Sequence, residues 1–377
     1  MRILFLCNTV YQIMVASWLK KTKYTDVSAD VIISDHMNNY GNISDRVREC
    51  AFFDKVYKIK SKSYINAKEK ISIRERLYRG LRPEKALSDI IKFKGKYDCL
   101  FIANLDRFSQ SLYNVLKNYK HSKVGNKKLK LYIYEDGIMT YSKLFDKYYK
   151  NCIPEFYTWR LKLLNKYICN NQYIFKNVSS MYLFNPDLIC YLPDCKIEQI
   201  DKIDINDKKF IEYLNYVFSY DSSKDIYDKP IIFIEESIYI DSEQRPDLEL
   251  LNTIADEVGK ENIMIKIHPR NPINIFEKHG YKTNKDTSIP WELIILNNRF
   301  QNKRLITIAS SAILNPITIF GINIKSYSLY NCLKEKPNIL KGDFWDCVKY
   351  QYGIYPQNIR MYNNIYEIIS EIKGEKK

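Results

Sequence analysis

Short apolar runs alternate along the chain with segments whose apolar residues recur at helical spacing. Runs that are apolar at nearly every position predict strands buried on both faces, as in parallel sheets covered by helices. The predicted strands are Arg2–Cys7, Ala29–Ser34, Lys55–Ile59, Cys99–Ala103, Leu129–Tyr134, Met181–Phe184, Ile231–Ile234, Ile263–Ile267, Leu305–Ala309 and Ile322–Ser328. The predicted helices are Val10–Leu19, Phe108–Asn118, Phe210–Phe218, Leu248–Val258, Ala312–Phe320 and Ile365–Ile372. The alternation predicts an α/β protein.

One polar stretch interrupts this alternation. Ser219–Lys229 lacks periodicity and ends at Pro230, as a linker does. We therefore expect two Rossmann-like domains, residues 1–222 and 223–377, whose parallel sheets face a central cleft. A ligand would bind there, at the carboxyl ends of the strands. The C-terminal helical pattern is a candidate for packing back on the N-terminal domain.

The charge balance indicates an anionic partner. Lys and Arg total 59 against 44 Asp and Glu, a net charge of +15. Such an excess suits nucleic acid, an anionic membrane surface or small anionic substrates, although a solvated lysine-rich face is also common. The positive clusters, with interleaved aromatic residues, are Lys55–Lys62, Arg74–Arg82, Lys92–Lys96 and Lys123–Lys130, with Tyr57, Tyr64, Tyr78 and Phe93. All lie in the N-terminal part of the chain, so one surface could carry them.

Several classes of protein lose weight because their motifs are absent. No apolar run approaches the roughly 18 residues of a membrane span, and the opening run is too short for a secretory signal, so we expect a cytoplasmic protein. The nine cysteines include no C-x-x-C, which disfavours a zinc site. The chain has no G-x-G-x-x-G, P-loop, H-E-x-x-H or G-x-S-x-G motif, and no D-x-D pair. We therefore expect neither a dinucleotide cofactor nor a bound metal.

A strand that ends in His-Pro is the sharpest chemical feature. Because proline cannot extend a central strand, His268 should lie at the carboxyl end of its strand, before Pro269. Lys266 and Arg270 flank it with positive charge. An imidazole between cations can hydrogen-bond a phosphate or give it a proton. The alternative is a histidine that merely ends a strand.

Two acidic pairs follow predicted strands. Glu135 and Asp136 precede Gly137, and because neighbouring side chains of an extended segment point to opposite faces, only one of the two carboxylates can face the cleft. Gly137 permits a positive φ and close approach of a ligand. A shielded carboxylate is a competent general base, although such a sequence also forms ordinary turns. Glu235 and Glu236 could rival this pair or form a solvated turn.

Two strand-to-helix junctions carry polar side chains. Ser310 and Ser311 precede a predicted helix, where one hydroxyl can cap the helix and the other can bind an anion. Thr9 and Gln12 have the spacing of a capping box. Asn8 or Thr9 could also touch an acceptor.

Together and in order, the segments N-x-T-x-x-Q, E-D-G, H-P and S-S resemble the bacterial sialyltransferases. Among these the chain looks most like glycosyltransferase family 52, the lipooligosaccharide and capsule sialyltransferases. The resemblance implies a GT-B fold, a CMP-sialic acid donor, inversion at the anomeric carbon and no metal. By resemblance, His268 would be the acid or the phosphate partner, Ser310 and Ser311 would hold the phosphate, and Glu135 or Asp136 would be the base or support it. The residues themselves add further candidates: Glu236 for catalysis; Lys266, Pro269 and Arg270 for the donor phosphate; and Asn8, Thr9, Gln12 and Gly137 on the acceptor side.

The function implied is transfer of sialic acid to a galactose-type terminal sugar of a capsule or lipooligosaccharide. The partners would be the nucleotide-sugar donor, the glycan acceptor and the inner face of an anionic membrane, with no nucleic acid, and a homodimer is compatible with the sequence. After the first strand of the second domain, this chain has Glu235-Glu236-Ser237-Ile238 where the family pattern has Gly and Pro, so the identity of the base stays open. The alternatives are a hexosyltransferase of the same fold and a non-enzymatic binder of polyanions or membrane surfaces.

Overall fold

The computed structural model contains the predicted parallel sheets, each in a unit of its own. The first unit comprises Met1–Thr140 and Leu144–Asp201, and the second comprises Tyr141–Lys143 and Lys202–Lys377. The residues that the structure describes are 1–62, 87, 90–93, 95–117, 122–146, 177–221, 223, 226–239, 244–271, 273–284, 286–298 and 300–374. The predicted cluster Arg74–Arg82, with Tyr64 and Tyr78, lies outside them.

The sheet of the first unit has seven described strands, all parallel, in the order β3-β2-β1-β4-β5-β6-β7. The strands are β1 (Arg2–Cys7), β2 (Ser28–Ser34), β3 (Lys55–Ile59), β4 (Cys99–Ile102), β5 (Lys130–Tyr134), β6 (Val178–Leu183) and β7 (Lys196–Gln199). The described helices of this unit are α1 (Val10–Thr22), α2 (Tyr40–Glu49) and α3 (Arg107–Lys117).

The central strand β1 explains why this sheet is covered on both faces. Every residue from Ile3 to Cys7 is buried, and because successive side chains point to opposite faces, both faces must be covered. One layer of the core contains Leu4, Leu6, Ile32, Leu100, Ile102, Phe108, Leu112, Leu131 and Ile133.

The second unit also contains a parallel sheet, with six described strands in the order β10-β9-β8-β11-β12-β13. The strands are β8 (Ile231–Ile234), β9 (Ile263–Lys266), β10 (Lys282–Thr283), β11 (Arg304–Thr307), β12 (Lys325–Ser328) and β13 (Ile359–Arg360). Its described helices are α4 (Lys208–Phe218), α5 (Pro246–Val258), α6 (Ile275–Lys278), α7 (Trp291–Asn297), α8 (Asn315–Thr318), α9 (Asp343–Gly353) and α10 (Ile365–Lys373). Short 3-10 helices lie at Met139–Tyr141, Pro186–Leu188, Ser237–Tyr239, Lys260–Asn262, Ser311–Ile313, Tyr330–Cys332 and Asn338–Leu340.

The strand order reverses beside the first strand of each sheet. In the first unit β1 lies between β2 and β4, and in the second β8 lies between β9 and β11. Such a switch point opens a crevice at the carboxyl ends of the strands, where α/β proteins bind ligands. The predicted α/β class, with two Rossmann-like parallel sheets, is confirmed.

The contacts divide the chain after Asp201, earlier than the boundary at residue 222 that the composition predicted. The reason is α4, whose Asn215 exchanges side-chain hydrogen bonds with Asn297 of α7 at 2.8 and 2.7 Å. The C-terminal helix α10 belongs to the second unit and buries Ile368 and Ile369 in its core.

One predicted helix is wrong in length. The segment Ala312–Phe320 forms a three-residue 3-10 helix, Ser311–Ile313, followed by the four-residue α8. Pro316 lies at the start of α8 and supplies no backbone N–H, so a continuous helix cannot form through it. None of the helices in the described part of the chain has both the length and the apolar character needed to cross a membrane.

Candidate functional site

The first strand of the first unit ends in the predicted capping arrangement. Thr9 is the N-cap of α1, and its Oγ1 accepts the backbone N–H of Gln12 at 3.2 Å. The Gln12 side chain reaches back and accepts the backbone N–H of Asn8 at 2.6 Å. Gln12 and Asn8 are both buried, whereas Thr9 is half-buried. Their first role is therefore to hold the turn that follows β1.

Asn104, which follows β4, connects this turn to the acidic segment after β5. Its Oδ1 accepts from Gln12 Nε2 at 2.7 Å and from Asn8 Nδ2 at 3.2 Å. Because both partners donate to the oxygen, the amide nitrogen must point the other way, where it donates to Asp136 Oδ2 at 2.9 Å. Sequence reasoning missed Asn104, which stands in no recognisable motif.

The two carboxylates of the acidic segment have different environments, as the strand geometry predicted. Glu135 is only 4% exposed, and it accepts from the Tyr11 hydroxyl at 2.8 Å and from the backbone N–H of Phe184 at 2.8 Å. Asp136 is half-buried and, besides its bond from Asn104, lies 3.4 Å from the Thr9 hydroxyl. Glu135 therefore anchors the segment, and Asp136 is the more accessible carboxylate at the carboxyl ends of the strands.

Gly137 follows with a φ of +70°, the left-handed region that favours glycine. A Cβ added there would meet no atom of the described residues within 4 Å. The glycine is therefore required by the backbone conformation and not by crowding from those residues.

In the second unit, the ends of β8 and β9 are joined through Glu235. This carboxylate is 1% exposed and accepts the backbone N–H of His268 at 2.9 Å through Oε2. Its Oε1 accepts from the guanidinium of Arg245 at 2.9 Å. Neither the contact to His268 nor the role of Arg245 was predicted from the sequence, because Arg245 lies in a polar loop without a motif.

The His268 ring is half-buried and its hydrogen bonds define its tautomer. Nδ1 accepts the backbone N–H of Arg270 at 3.2 Å. A backbone N–H can only donate, so the neutral ring carries its proton on Nε2. Burial, reinforced by the positive charges of Arg270 and Lys266, lowers the pKa of His268 to about 4. The free ring is therefore a neutral hydrogen-bond donor at pH 7.

The residues around His268 separate into an interior and a surface group. Lys266 is buried, with Nζ 3.2 Å from the carbonyl oxygen of Ile267, and burial lowers its pKa to about 8. Pro269 and Arg270 are exposed. Lys266 therefore lies beneath the His-Pro turn rather than on its surface, and Arg270 is the accessible cation.

Glu236 connects the end of β8 to the end of β11. Its Oε1 accepts from the Thr307 hydroxyl at 2.9 Å and from the backbone N–H of Ala309. Burial raises the pKa of Glu236 to about 7. This carboxylate can therefore change its protonation state close to neutral pH, a property that acid–base catalysts share. Sequence reasoning did not single out Thr307, which is the last residue of a buried strand.

The two serines after β11 divide their tasks. Ser310 Oγ accepts the backbone N–H of Ala312 at 3.3 Å, so Ser310 is the cap. Its carbonyl oxygen accepts from the buried hydroxyl of Tyr352 at 2.9 Å. The Ser311 hydroxyl is half-buried and makes no hydrogen bond to any described residue. The expected capping role is confirmed for Ser310, and Ser311 keeps a hydroxyl for another partner.

The second unit thus brings His268, Glu236 and Ser311 to the carboxyl ends of three neighbouring strands, β9, β8 and β11. The first unit brings Thr9, Asn104 and Asp136 to the ends of β1, β4 and β5, which are also neighbours. Among the described residues, no group of three or more His, Cys, Asp or Glu side chains could hold a metal ion.

Comparisons with known proteins identify the family. The model of the alpha-2,8-polysialyltransferase family (POLYST) matches residues 3–329. No curated protein matches the sequence.

Solved structures with a similar fold include a sialyltransferase. The alpha/beta-galactoside alpha-2,3-sialyltransferase of the luminous marine bacterium Photobacterium phosphoreum is 11% identical with a TM-score of 0.52, over 97% of this chain and 99% of that chain. The glycotransferase of kitacinnamycin is 5% identical with a TM-score of 0.51, over 99% of this chain and 89% of that chain. At these identities the likeness shows the fold alone, and it confirms the predicted GT-B class.

The family match extends over both units and includes the E-D-G, H-P and S-S segments. It confirms the resemblance to bacterial sialyltransferases and excludes the non-enzymatic alternative. An enzyme of this kind uses a nucleotide-sugar donor and a glycan acceptor. The chain belongs to the alpha-2,8-polysialyltransferase family and is a glycosyltransferase that transfers sialic acid.

Proposed function

We propose that the protein transfers sialic acid from CMP-sialic acid to a glycan, with inversion at the anomeric carbon and without a metal. The observation that carries the proposal is the placement of the His268 imidazole and the Ser311 hydroxyl at the ends of β9 and β11, on either side of β8. Both groups can donate hydrogen bonds to a phosphate at the switch point of the sheet.

The donor dictates what the second unit must stabilise. As the bond between the anomeric carbon and the phosphate oxygen breaks, its electron pair goes to CMP, which leaves as a phosphate monoester with one more negative charge. His268 Nε2–H, the Ser311 hydroxyl and the exposed Arg270 guanidinium supply two donors and a cation for that charge. A single phosphate carries less charge than a diphosphate leaving group, so these groups suffice without a metal.

The low pKa of the His268 ring favours one of the two roles that the resemblance implied. A ring with a pKa of about 4 carries no second proton at pH 7. It therefore acts as a hydrogen-bond partner of the phosphate rather than as a general acid when the donor binds. The negative charge of the departing phosphate then raises the pKa of the ring and strengthens the contact.

The acceptor hydroxyl must lose its proton to a base as its oxygen attacks the anomeric carbon. Asp136 is our candidate for the base, because its carboxylate lies at the carboxyl ends of the strands of the first sheet and is held by Thr9 and Asn104. Glu236 is the second candidate, because its pKa of about 7 suits a base. One of its oxygens already accepts from Thr307 and the backbone of Ala309, which also suits a role in holding the serine turn.

The acceptor that we propose is a galactose-type terminal sugar of a capsule or lipooligosaccharide. The family description favours a second one, a glycan that already ends in sialic acid. An acceptor that approaches Asp136 would meet Thr9 and Gly137. The other two predicted acceptor-side residues, Asn8 and Gln12, are buried and support this region through Asn104. A lipid-linked acceptor would suit a cytoplasmic enzyme whose basic first unit rests on the inner membrane face.

The test is a transfer assay in EDTA, with CMP-sialic acid as donor and acceptors that end either in galactose or in sialic acid. We expect transfer to at least one acceptor, and NMR of the first product should show the inverted anomeric configuration. His268→Ala is the matched control. Transfer from a UDP-hexose in place of CMP-sialic acid would establish the hexosyltransferase alternative and overturn the proposal.

A further inference from the structure

The backbone at His268 is held by a buried charge rather than by neutral groups. Glu235 extends the β8 edge, and its own backbone N–H donates to the carbonyl oxygen of Lys266 at 3.0 Å. Its side chain then turns to accept the N–H of His268 at 2.9 Å. In a parallel sheet, a backbone N–H at this position would ordinarily donate to a carbonyl oxygen of the neighbouring strand. Here the N–H of His268 donates to a side-chain carboxylate instead.

The same carboxylate is locked from its other side by Arg245. The Arg245 side chain is 10% exposed, and Nη2 donates to Glu235 Oε1 at 2.9 Å. Arg245 also donates twice to the buried carboxylate of Asp247, at 2.9 and 2.8 Å. Its guanidinium carbon lies 5.1 Å from the centre of the Phe276 ring. These contacts fix the position of the Arg245 guanidinium, and its hydrogen bond to Oε1 therefore fixes the orientation of the Glu235 carboxylate.

The turn that follows depends on this anchor. The carbonyl oxygen of His268 accepts the N–H of Asn271 at 3.0 Å, and the ring accepts the N–H of Arg270. Both bonds are local to the turn, so they define its shape but not its position on the sheet. The Glu235 bond to His268 and the Asn271 side-chain bond to the Glu236 carbonyl, at 3.3 Å, tie the turn to β8.

From this geometry we propose that Glu235 is a positioning residue for sialyl transfer, which sets the direction of His268 Nε2–H through the backbone of the His-Pro turn. The proposal rests on the role assigned to His268 under the proposed function. It also gives Glu235 a task distinct from that of its neighbour Glu236, which binds the serine turn.

A carboxylate is needed because both oxygens of Glu235 accept hydrogen bonds, Oε2 from the His268 N–H and Oε1 from Arg245, and the Asn271 side chain also hydrogen-bonds to this carboxylate. In Glu235→Gln, one of the two positions becomes an NH2 group that faces either the His268 N–H or the Arg245 guanidinium. Two donors then oppose each other, and the turn must shift. Displacement of a catalytic contact by about 1 Å can lower the rate by about 10²-fold.

The experiment compares Glu235→Gln in two backgrounds, the full-length wild type and His268→Ala, by initial rates with CMP-sialic acid. In the wild type we expect kcat to fall by about 10-fold to 10²-fold, with KM for the donor changed by only a few-fold. In the His268→Ala background the same substitution should cost less than about 3-fold, because a residue that acts through His268 has nothing left to position. Asp30→Asn is the matched control, since Asp30 is a buried carboxylate paired with Arg2 in the first unit at 2.7 Å.

The outcomes are separable. Asp30→Asn should lower the melting temperature and leave kcat within a few-fold of the wild type. If Glu235→Gln lowers kcat by the same factor in both backgrounds, or no more than Asp30→Asn does, Glu235 is a structural residue only and the inference is wrong. If the wild type itself does not use CMP-sialic acid, the proposed function fails first. Should Glu235→Gln not fold, Glu235→Asp, which keeps both acceptor oxygens, replaces it in the same comparison with the same expected dependence on His268.

Discussion

Nδ1 of His268 accepts the backbone N–H of Arg270 at 3.2 Å, which leaves Nε2 as the protonated nitrogen of the neutral ring. Because the pKa of this ring is lowered to about 4, the neutral form is the one that meets the donor at pH 7. A histidine between two cations thus serves as an oriented hydrogen-bond donor, and its orientation can be tested directly.

The amide variants of His268 test which nitrogen donates. The side-chain nitrogen of Gln reaches about as far as Nε2, whereas that of Asn reaches only as far as Nδ1. We expect His268→Ala to lower kcat/KM by about 10²-fold or more. His268→Gln should be about 10-fold more active than His268→Asn. Equal activity of the two amides, or the reverse order, would contradict the assignment of Nε2.

Ser310 and Ser311 should separate stability from donor binding. Ser310→Ala removes the cap on Ala312 and should destabilise the fold by about 1 kcal/mol in denaturant titrations. Ser311→Ala should leave stability unchanged and raise KM for CMP-sialic acid by about 10-fold, the worth of one hydrogen bond to a charged group. A loss of stability in Ser311→Ala with unchanged KM would mean that Ser311 is structural.

The acidic segment offers an equally direct comparison. In Asp136→Asn the amide oxygen can accept from Asn104 while the amide nitrogen donates to the Thr9 hydroxyl oxygen. The variant should therefore fold normally and lower kcat by about 10²-fold or more if Asp136 is the base. In Glu135→Gln the amide oxygen can accept from Phe184 N–H while its nitrogen donates to the Tyr11 oxygen, so activity should stay within a few-fold. If Glu236→Gln abolishes turnover while Asp136→Asn spares it, Glu236 is the base.

Glu236 should also leave a signature in stability. Its pKa is about 7 in the folded protein against an ordinary 4.5, so between these values the folded state binds more protons than the unfolded state. The contribution of Glu236 to the free energy of unfolding therefore falls as the pH rises from 4.5 to about 7. His268, with a pKa lowered from 6.5 to about 4, acts in the opposite sense. His268 is common to the wild type and Glu236→Gln, so its effect cancels in their difference.

Melting temperatures measured from pH 4.5 to 8 provide the check. The wild type should lose stability relative to Glu236→Gln up to about pH 7, and the difference should then level off. A difference that does not change with pH would show that folding does not raise the pKa of Glu236.

Much of the fold could be predicted because buried parallel strands are apolar at consecutive positions. The runs in Arg2–Cys7 and Ile231–Ile234 match their strands residue for residue. The strands that were missed are short and lie at or next to sheet edges. Lys196–Gln199, for example, is at best half-buried along its length, so it has no apolar run to reveal it. The unpredicted helix Tyr40–Glu49 is likewise mostly polar, with few buried positions.

Residues of the candidate site could be predicted only where the neighbouring sequence indicates their position. The His-Pro and Ser-Ser segments follow recognisable strands, and their strand-end positions follow from that alone. Asn104 acts through Gln12, 92 positions earlier in the chain, and Arg245 acts through Glu235, 10 positions earlier. Neither residue stands in a sequence motif that indicates its partner. Lys266 was expected to contact the donor phosphate, but it is buried at the end of a strand that is buried at every position.

A crystal structure of the protein with CMP bound would test the donor-phosphate site most directly. We expect the phosphate of CMP to lie within hydrogen-bond distance of both His268 Nε2 and Ser311 Oγ, with no metal between them. A phosphate bound elsewhere, or a His268 ring turned so that Nδ1 faces CMP, would contradict the assignment of His268 Nε2 and Ser311 to the donor phosphate.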